Sequence, residues 1–367
     1  MPLSRRKTLA LIGGGVVSAA VLPAAGFLAT RTPDKALGPW AHAGSYSDPR
    51  LNALSFALLA PNPHNRQPWL AELIGADRVL IHREAVRNLP QTDPNDRQLT
   101  IGMGCFLQLM VMAAGQAGHG VALDLFPDGD GGTVAEARFT AGEGRADPLF
   151  AHVLARRSCK TPFAAQPVTS DPALARHARL ITEGPLIDAL RALTWDAWMV
   201  EAETPRTYRE SVDLMRIGKK EIEANPDGIS LGGPFLEVLH LAGILTRKAQ
   251  LDPTSTGYRQ GVAIYREMLA ATPAYAVITT PGNARTDQIE TGRRWLRLNL
   301  AATGAGLSLH PVSQCLQEYP EMARNYARAH DLLARPGETV QMLGRLGYGP
   351  KVPQTPRWPL ESRMMHA

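Results

Sequence analysis

The sequence contains little cysteine. Three cysteines occur in 367 residues, and they lie far apart at Cys105, Cys159 and Cys315. None belongs to a CxxC pair or to a Cys/His spacing that would hold zinc, so we expect neither a disulfide framework nor a metal site. A GxGxxG fingerprint is also missing, and the sequence therefore predicts no dinucleotide site of the Rossmann type.

An excess of charge of one sign is also lacking once the N-terminal segment is set aside. The formal net charge is +5, but residues 1–31 contain Arg5, Arg6, Lys7 and Arg31 and no acidic residue. The remainder has 35 basic side chains (39 − 4) and 34 acidic ones, a net charge of +1. This balance argues against nucleic acid as a partner. With 44% hydrophobic residues, the chain can bury one large core or two ordinary ones.

The N-terminal segment, residues 1–31, is typical of an export signal. Basic residues precede a long uncharged stretch rich in glycine and alanine. The pair Arg5-Arg6 resembles a twin-arginine signal, which would take the folded protein to the twin-arginine export machinery. Alternatively, the stretch Thr8–Thr30 is long enough to span a bilayer as an uncleaved anchor. In both cases we expect the folded part, after a linker at residues 32–47, in the periplasm or on the outer face of the cytoplasmic membrane.

The chain beyond the linker has mixed helix and strand signals. "DPRLNALSFALLA" (residues 48–60) predicts a capped helix that ends at a Pro-Asn-Pro turn. "RVLIHRE" and "GVALDLFPDGDGG" predict strands. The apolar stretch between them, "RQLTIGMGCFLQLMVMAAGQAG", predicts a helix that is buried on all sides. This order is typical of an α+β fold in which helices outweigh strands.

A weak internal repeat has an offset of 188 residues (292 − 104). It aligns Gly104 with Gly292 and the small and apolar residues of one predicted helix with those of another. The repeat divides the chain near residue 145, so we predict two halves, residues 48–145 and 146–367. Two fused, similar halves would mimic a symmetric dimer within one polypeptide.

Two short motifs suggest a binding site. "PNPHNRQPW" (residues 61–69) stops the preceding helix, because proline lacks an N–H and disfavours helical conformation in the residue before it. "RRSCK" (residues 156–160) places three basic residues near the start of the second half. Taken alone, the first motif is more often a helix-stopping turn and the second a solvated helix end.

Together these motifs resemble those of the nitroreductase family of FMN enzymes. "RRSCK" is similar to the family's N-terminal phosphate and flavin motif, and "PNPHNRQPW" is a near match to its Pro-Ser-x-x-Asn-x-Gln-Pro-Trp turn. "LRLNLAATGAGLSLHPVSQ" and "LGRLGYGPKVPQTPRWPL" resemble the family's late buried helix and its closing strand. The resemblance covers most of residues 48–360 and is greatest for the two-domain, single-chain, Acg-like branch.

The resemblance implies a pseudo-dimer of two fused halves, each a mainly antiparallel sheet surrounded by helices. In the family, each flavin lies between the basic motif of one protomer and the turn of the other. This chain has each motif once, so we expect a monomer with one FMN per chain. The implied cofactor-binding residues are Arg156, Arg157, Ser158, Lys160, Pro61, Asn62, Pro63, Asn65, Gln67, Ser313, Gln314 and Arg357.

The family also implies a role for several of these side chains. Arg156 and Arg357 would grip the phosphate dianion, because guanidinium groups bind such oxyanions bidentately. Lys160 would lie beside the N1/O2 edge of the flavin ring and stabilise its reduced form. Asn65 would contact the ring edge or the ribityl hydroxyls. No catalytic protein side chain is implied, since the flavin itself carries the electrons.

The sequence departs from the family pattern in two places. Asn62 and Pro63 stand where relatives have serines, and Pro63 has no N–H to donate. A helical insertion at about residues 190–250 exceeds what a minimal nitroreductase needs. Either its segment "NPDGISLGGPF" or the long segment at residues 87–98 would cover the flavin as a lid.

The implied function is an FMN-dependent oxidoreductase that passes two electrons, as hydride, to a small-molecule acceptor such as a nitro compound or a quinone. NAD(P)H is the family's usual reductant. A non-catalytic protein that stores or sequesters FMN would have the same binding residues. A serine hydrolase is a third alternative, because "GISLG" matches GxSxG, with Ser230 as nucleophile and His310 as base. That motif must follow a strand, whereas the preceding "MRIGKKEIEANPDG" predicts a charged helix and a turn.

Overall fold

A computed structural model describes residues 30–365 of the chain. The predicted export signal lies almost entirely outside these described residues. The α-helices are α1 Asp34–His42, α2 Pro49–Ala57, α3 Arg97–Gln116, α4 Pro172–Ala175, α5 Leu186–Glu203, α6 Pro205–Asp213, α7 Gly218–Ala224, α8 Pro234–Leu241, α9 Arg247–Gln250, α10 Thr256–Ala270, α11 Arg285–Gly304 and α12 Ala323–Leu333. The strands are β1 Trp69–Ile74, β2 Arg78–Arg83, β3 His119–Leu125, β4 Ala135–Ala141, β5 Arg179–Ile181, β6 Met215–Ile217, β7 Ile229–Leu231, β8 Ala274–Thr280, β9 Ser308–Pro311 and β10 Thr339–Gly347.

Around the proline turn, the structure contains the predicted helix, α2, and the predicted strand, β2. It also contains a strand that was not predicted, β1. Helix α2 begins after Asp48, whose carboxylate accepts a hydrogen bond from the amide of Arg50 at 2.8 Å and so caps the helix. Strand β1 follows the turn and pairs with β2, with Trp69 opposite Arg83. The sequence did not predict β1, because "WLAELI" lacks strict alternation and a short apolar run does not separate strand from helix.

Two antiparallel sheets of four strands form the framework, with strand orders β1-β2-β4-β3 and β5-β8-β10-β9. In each sheet two strands precede a long helix and two follow it, since α3 lies between β2 and β3 and α11 lies between β8 and β9. Matching the strands in chain order therefore gives the same arrangement in both sheets. The predicted mixture of helices and antiparallel sheet is confirmed.

Helices α3 and α11 pack against each other through two glycines. A Cβ atom on Gly104 would clash with the carbonyl oxygen of Ile289, and one on Gly292 would clash with the carbonyl oxygen of Ile101. The two contacts are related by 188 residues (289 − 101), the offset of the sequence repeat. Only glycine allows the two backbones to approach so closely.

Helix α3 is the buried helix that the sequence predicts. It is long and apolar enough to cross a bilayer, but 83% of its most apolar window is buried inside the protein. Leu99, Phe106 and Met110 are among its fully buried side chains. In the described structure α3 is thus a core helix of the folded protein.

The insertion contains helices and a small parallel sheet. Strands β6 and β7 pair in parallel, with Met215 opposite Ile229. The expectation of a continuous charged helix over "MRIGKKEIEANPDG" is wrong, because β6 occupies residues 215–217 and α7 begins only at Gly218. Gly218 has a φ of 78°, a left-handed conformation that separates the strand from the helix.

Candidate functional site

The backbone of the proline turn is strained. His64, Asn65 and Gln67 have φ angles of 46°, 52° and 51°, in the left-handed region that residues with a Cβ rarely adopt. Such residues cost of order 1–3 kcal/mol each unless their surroundings hold them in place. Here Asn62 Oδ1 accepts a hydrogen bond from the amide of Gln67 at 2.7 Å. The turn rests on α3 at Gly102, where a Cβ would meet Asn62 at 3.0 Å.

The amide side chains of the turn bind two distant segments of the chain. Gln67 donates from Nε2 to the carbonyl of Pro226 at 2.7 Å and accepts at Oε1 from the amide of Trp358 at 2.9 Å. Asn65 accepts at Oδ1 from Arg357 at 2.6 Å and donates from Nδ2 to a backbone carbonyl of the C-terminal segment at 3.1 Å. In this structure both side chains position the insertion and the C-terminal segment.

Two buried arginines converge on the carbonyl oxygen that precedes the turn. Arg156 and Arg357 are 3% and 2% exposed. Arg156 Nη2 and Arg357 Nη2 donate to the carbonyl of Leu59 at 2.9 and 3.2 Å. The Nε atom of Arg357 is buried and has no hydrogen-bond partner among the described residues.

A third arginine and a tryptophan complete this group. The guanidinium of Arg157 lies 4.7 Å from the centre of the Trp40 ring on α1, and that of Arg357 lies 5.7 Å from it. Arg157 Nη1 donates to the backbone carbonyl of Arg156 at 2.6 Å. Its Nε atom is also buried without a partner in the described part of the chain. We refer to Arg156, Arg157, Arg357 and Trp40 as the basic cluster.

The basic cluster has no acidic counterion among residues 30–365. No ion pair within residues 30–365 involves any of its three arginines, and these arginines donate hydrogen bonds to carbonyl, amide and hydroxyl oxygens. Burial lowers the pKa of Arg156 to about 10. The pKa of Arg357 is held well below its ordinary value by burial and by repulsion from Arg156 and Arg157. Both lowered pKa values mean that burial disfavours the charged guanidinium groups. A doubly charged oxyanion such as a phosphate group would stabilise their charged form.

The rest of the basic motif lies beside β9. Ser158 forms an isolated bridge with Leu309. Lys160 is exposed, and its charge lowers the pKa of both His64 and His310, in each case after the larger effect of desolvation. The pKa of His64 falls to about 4. Lys160 and the two imidazoles therefore share one region next to the turn.

A buried acid from the insertion adjoins the same region. Burial raises the pKa of Glu201, on α5, and the charge of Lys160 opposes that rise. Glu201 accepts hydrogen bonds from Gln317 Nε2 at 2.9 Å and from Ser211 Oγ at 3.2 Å. No motif in the sequence pointed to this carboxyl group, because it lies within an ordinary helical pattern.

The residues after β9 lie farther from the cluster. Ser313 is buried, with Oγ 3.5 Å from the carbonyl of Leu343, so its hydroxyl points into the protein. Gln314 is partly exposed in the short 3₁₀ turn Ser313–Leu316. No hydrogen bond within the described residues joins either side chain to the basic cluster.

A second group of arginines lies on the other side of the turn. Asp227, from the insertion, is 6% exposed and pairs with Arg66 at 2.9 Å, Arg87 at 2.7 Å and Arg216 at 2.9 Å. We refer to these four residues as the Asp227 cluster. Arg66 belongs to the turn and Asp227 to the "NPDG" segment. No sequence pattern predicted that these two residues form an ion pair. The cluster fastens the insertion to the turn.

Two cavities in the described structure are lined by none of the predicted site residues. One, of about 420 Å³, is lined by Gln116 and residues 146–151. The other, of about 630 Å³, lies between α1 and the C-terminal residues 359–361. The hydrolase alternative gains no support, because Ser230 lies inside β7 rather than at a turn after a strand, and within the described chain no hydrogen bond joins it to His310.

Comparisons with known proteins give weak likenesses. No protein-family model matches the chain, and no curated protein matches it. A nitroreductase-like family protein from Bacillus cereus is 14% identical, with a TM-score of 0.32 over 60% of this chain and 96% of that one. The FMN-dependent nitroreductase NfnB from Mycobacterium smegmatis, in complex with NADPH, is 14% identical, with a TM-score of 0.35 over 60% of this chain and 98% of that one. TM-scores below 0.5 do not establish a shared fold, and such identities do not establish a shared function.

Proposed function

We propose that this chain is an FMN-dependent, nitroreductase-like oxidoreductase that binds one FMN per chain. The observation that carries the proposal is the basic cluster, in which three arginines, two of them almost fully buried, meet without a carboxylate among the described residues. Structural arginines at such depth are ordinarily paired. The phosphate dianion of FMN would supply the missing charge and the acceptors for the unpartnered Nε atoms of Arg157 and Arg357.

The residues present fit the two ends of FMN differently. At the phosphate end, Arg156, Arg157 and Arg357 hold positive charge in a water-poor site, where an ion pair is strong. At the ring end, Lys160 would stabilise negative charge. When bound, the flavin supplies the two-electron chemistry, and the protein supplies orientation and charge. Asn65 is engaged with Arg357 in this structure, so its contact with FMN requires that hydrogen bond to be exchanged.

The same site suggests a source for protons. Burial raises the pKa of Glu201, whose carboxylate accepts hydrogen bonds from Gln317 and Ser211. A raised pKa favours the protonated carboxyl group, which can donate its proton to a reduced acceptor. We propose that Glu201 holds this proton.

A pseudo-dimer of two fused halves is part of this proposal. Two observations support it: the strand orders of the two sheets match, and the contacts of the Gly104–Gly292 crossing are related by one offset of 188 residues. The turn comes from the first half and the basic motif from the second, and they meet at Leu59. A second, symmetry-related site would need a turn motif in the second half and a basic motif in the first half. The sequence has neither.

The decisive experiment measures flavin in the purified, folded chain. We expect a yellow protein with about one FMN per polypeptide, released by denaturation and identified as FMN rather than FAD. A colourless protein that takes up no added FMN would refute the proposal. A ratio near two would refute the single-site pseudo-dimer but not flavin binding.

Storage of FMN is the second candidate function, and the Asp227 cluster favours it. Two ion pairs, from Arg66 and Arg87 to Asp227, fasten the insertion to the turn region, which would restrict access to a flavin bound there. Anaerobic mixing with NADPH separates the two functions. An enzyme loses its flavin absorbance and recovers it on addition of a nitroarene or a quinone, whereas a store keeps its absorbance until a small reductant such as dithionite is added.

We also propose that the protein works outside the cytoplasm, as the N-terminal sequence suggests. The test is cell fractionation with the Arg5-Arg6 pair replaced by Lys-Lys. Export through the twin-arginine machinery predicts that the native protein is periplasmic or membrane-associated and that the variant accumulates in the cytoplasm. An unchanged distribution would contradict this route.

A further inference from the structure

An uncharged apolar surface lies on α8 and the turn after it. Phe235, Val238 and Leu241 are 63%, 51% and 76% exposed, and Ile244 is 41% exposed. The spacing of three residues places the first three on one side of the helix. The only acidic residue of the helix, Glu237, is buried. We refer to Phe235, Val238, Leu241 and Ile244 as the apolar face, a cluster of the kind that marks a contact surface.

The described chain begins next to this helix. Arg31 Nη1 donates to Glu237 Oε2 at 3.0 Å, and the backbone amide of Lys219 donates to Glu237 Oε1 at 2.8 Å. Arg31 directly follows the uncharged stretch Thr8–Thr30. Since Thr30 is bonded directly to Arg31, the end of this stretch lies beside α8.

Basic residues flank the apolar face in sequence. Lys219 and Lys220 precede α8, and Arg247 and Lys248 follow it. Lys220 and Lys248 are exposed, and within residues 30–365 neither is in an ion pair. Exposed apolar side chains with flanking lysines are the pattern of a helix that lies in the interface of an anionic bilayer.

We propose that the apolar face docks on the surface of an anionic lipid bilayer, beside the point where Thr8–Thr30 enters that bilayer as an anchor. Phe235 and Leu241 would lie at the boundary between headgroups and acyl chains, and Lys220 and Lys248 would lie at the lipid phosphates. The Arg31–Glu237 ion pair fixes the anchor to the docking helix. The inference does not depend on FMN and goes beyond the proposed oxidoreductase.

The test uses the full chain reconstituted in vesicles of phosphatidylcholine and phosphatidylglycerol. The native cysteines are at most 1% exposed, so one introduced surface cysteine can be labelled selectively with an environment-sensitive fluorophore. Val238→Cys reports on the apolar face. Thr140→Cys, exposed on β4 and carried by the same anchored chain, is the matched control.

We expect a blue shift of the label at position 238 and its quenching by lipids brominated on their acyl chains, with neither effect at position 140. Adding Leu241→Glu to the Val238→Cys chain should remove both effects while the chain stays with the vesicles through its anchor. Lys220→Glu with Lys248→Glu should weaken quenching on anionic vesicles but not on neutral ones, because only the former attract the lysines.

Three results would overturn the proposal. The first is equal quenching at positions 238 and 140. The second is a blue shift at position 238 without vesicles in a monomer, which would mean that the N-terminal segment covers the face. The third is a blue shift without vesicles together with dimeric mass in sedimentation equilibrium, which would assign the face to a second copy of the chain.

Discussion

The two arginine clusters beside the turn differ in one respect. Each contains three arginines, drawn from at least two distant segments of the chain. In the Asp227 cluster a buried carboxylate pairs with all three guanidinium groups. In the basic cluster carbonyl oxygens take that place, and two Nε atoms have no partner among the described residues. The first cluster is complete as a structural clamp, whereas the second has the charge of a site for an anion.

Removing the carboxylate from the first cluster should give the largest effect. Asp227→Asn removes the carboxylate from Arg66 and Arg216, while Arg87 keeps its ion pair with Glu84, and breaking a buried ion pair costs about 3–5 kcal/mol. We expect the free energy of unfolding in urea to fall by this amount. Glu321→Gln is the control, because Glu321 pairs with Arg206 at the surface, where such pairs contribute about 0–1 kcal/mol. Equal losses in the two variants would end the distinction between a buried clamp and a surface pair.

Removing a guanidinium from the second cluster should affect ligand binding more than stability. Arg357→Met and Arg156→Met keep the side-chain volume but lose a charged hydrogen bond, which contributes about 1.5–3 kcal/mol, or about 10- to 100-fold in FMN affinity. Quenching of flavin fluorescence measures that affinity. In Arg216→Met, from the Asp227 cluster, the affinity of the folded protein should be unchanged, and a comparable loss there would show that the clusters do not differ in function.

A smaller effect should come from a simple oxyanion. Millimolar sulfate should raise the thermal midpoint of the flavin-free protein by binding to the native state. We expect the increase to be lost in Arg156→Met and retained in Arg216→Met. Chloride at equal ionic strength is the control for general screening. A sulfate response that survives in both variants would place the anion elsewhere.

The smallest effect should be a pH dependence from His64, a residue of the turn that both clusters contact. Desolvation, then Lys160 and Arg66, lower its pKa from 6.5 to about 4, so between these values the unfolded chain binds the extra proton. Stability should therefore fall as the pH drops from 6.5 to 4 and should not change on this account above that range. His64→Gln should flatten this part of the urea-unfolding profile. An identical slope in the variant would assign the effect to other histidines, such as His310.

Much of the framework was predictable from the sequence because it rests on local patterns. Asp48 caps α2, two prolines end it, and the apolar stretch before Gly118 forms the buried helix. Strand β4, "AEARFTA", was missed although it alternates, and β6 was missed because "MRIGKKEIEA" also has helix-forming residues. Short segments such as these take their conformation from the strands beside them.

The site was predictable only in part. The resemblance pointed to Arg156 and Arg357, and the structure brings both to Leu59. It also assigned Asn65 and Gln67 to the flavin, whereas in this structure those amides bind other segments of the chain. The sequence did not identify Trp40 as a site residue, because it lies in the predicted linker and belongs to no motif or hydrophobic repeat.

The sequence by itself indicated two helices of small and apolar residues and aligned Gly104 of one with Gly292 of the other. Gly104 and Gly292 are the positions at which a helix of small residues allows contact, and that property is local to each helix. Only the tertiary structure decided which arginines receive a carboxylate. Asp227 reaches Arg66 and Arg87 across long stretches of chain, while nothing acidic reaches Arg156 or Arg357 within the described residues. Coulomb energy depends on distance and burial, and neither is encoded in a residue's neighbours along the chain.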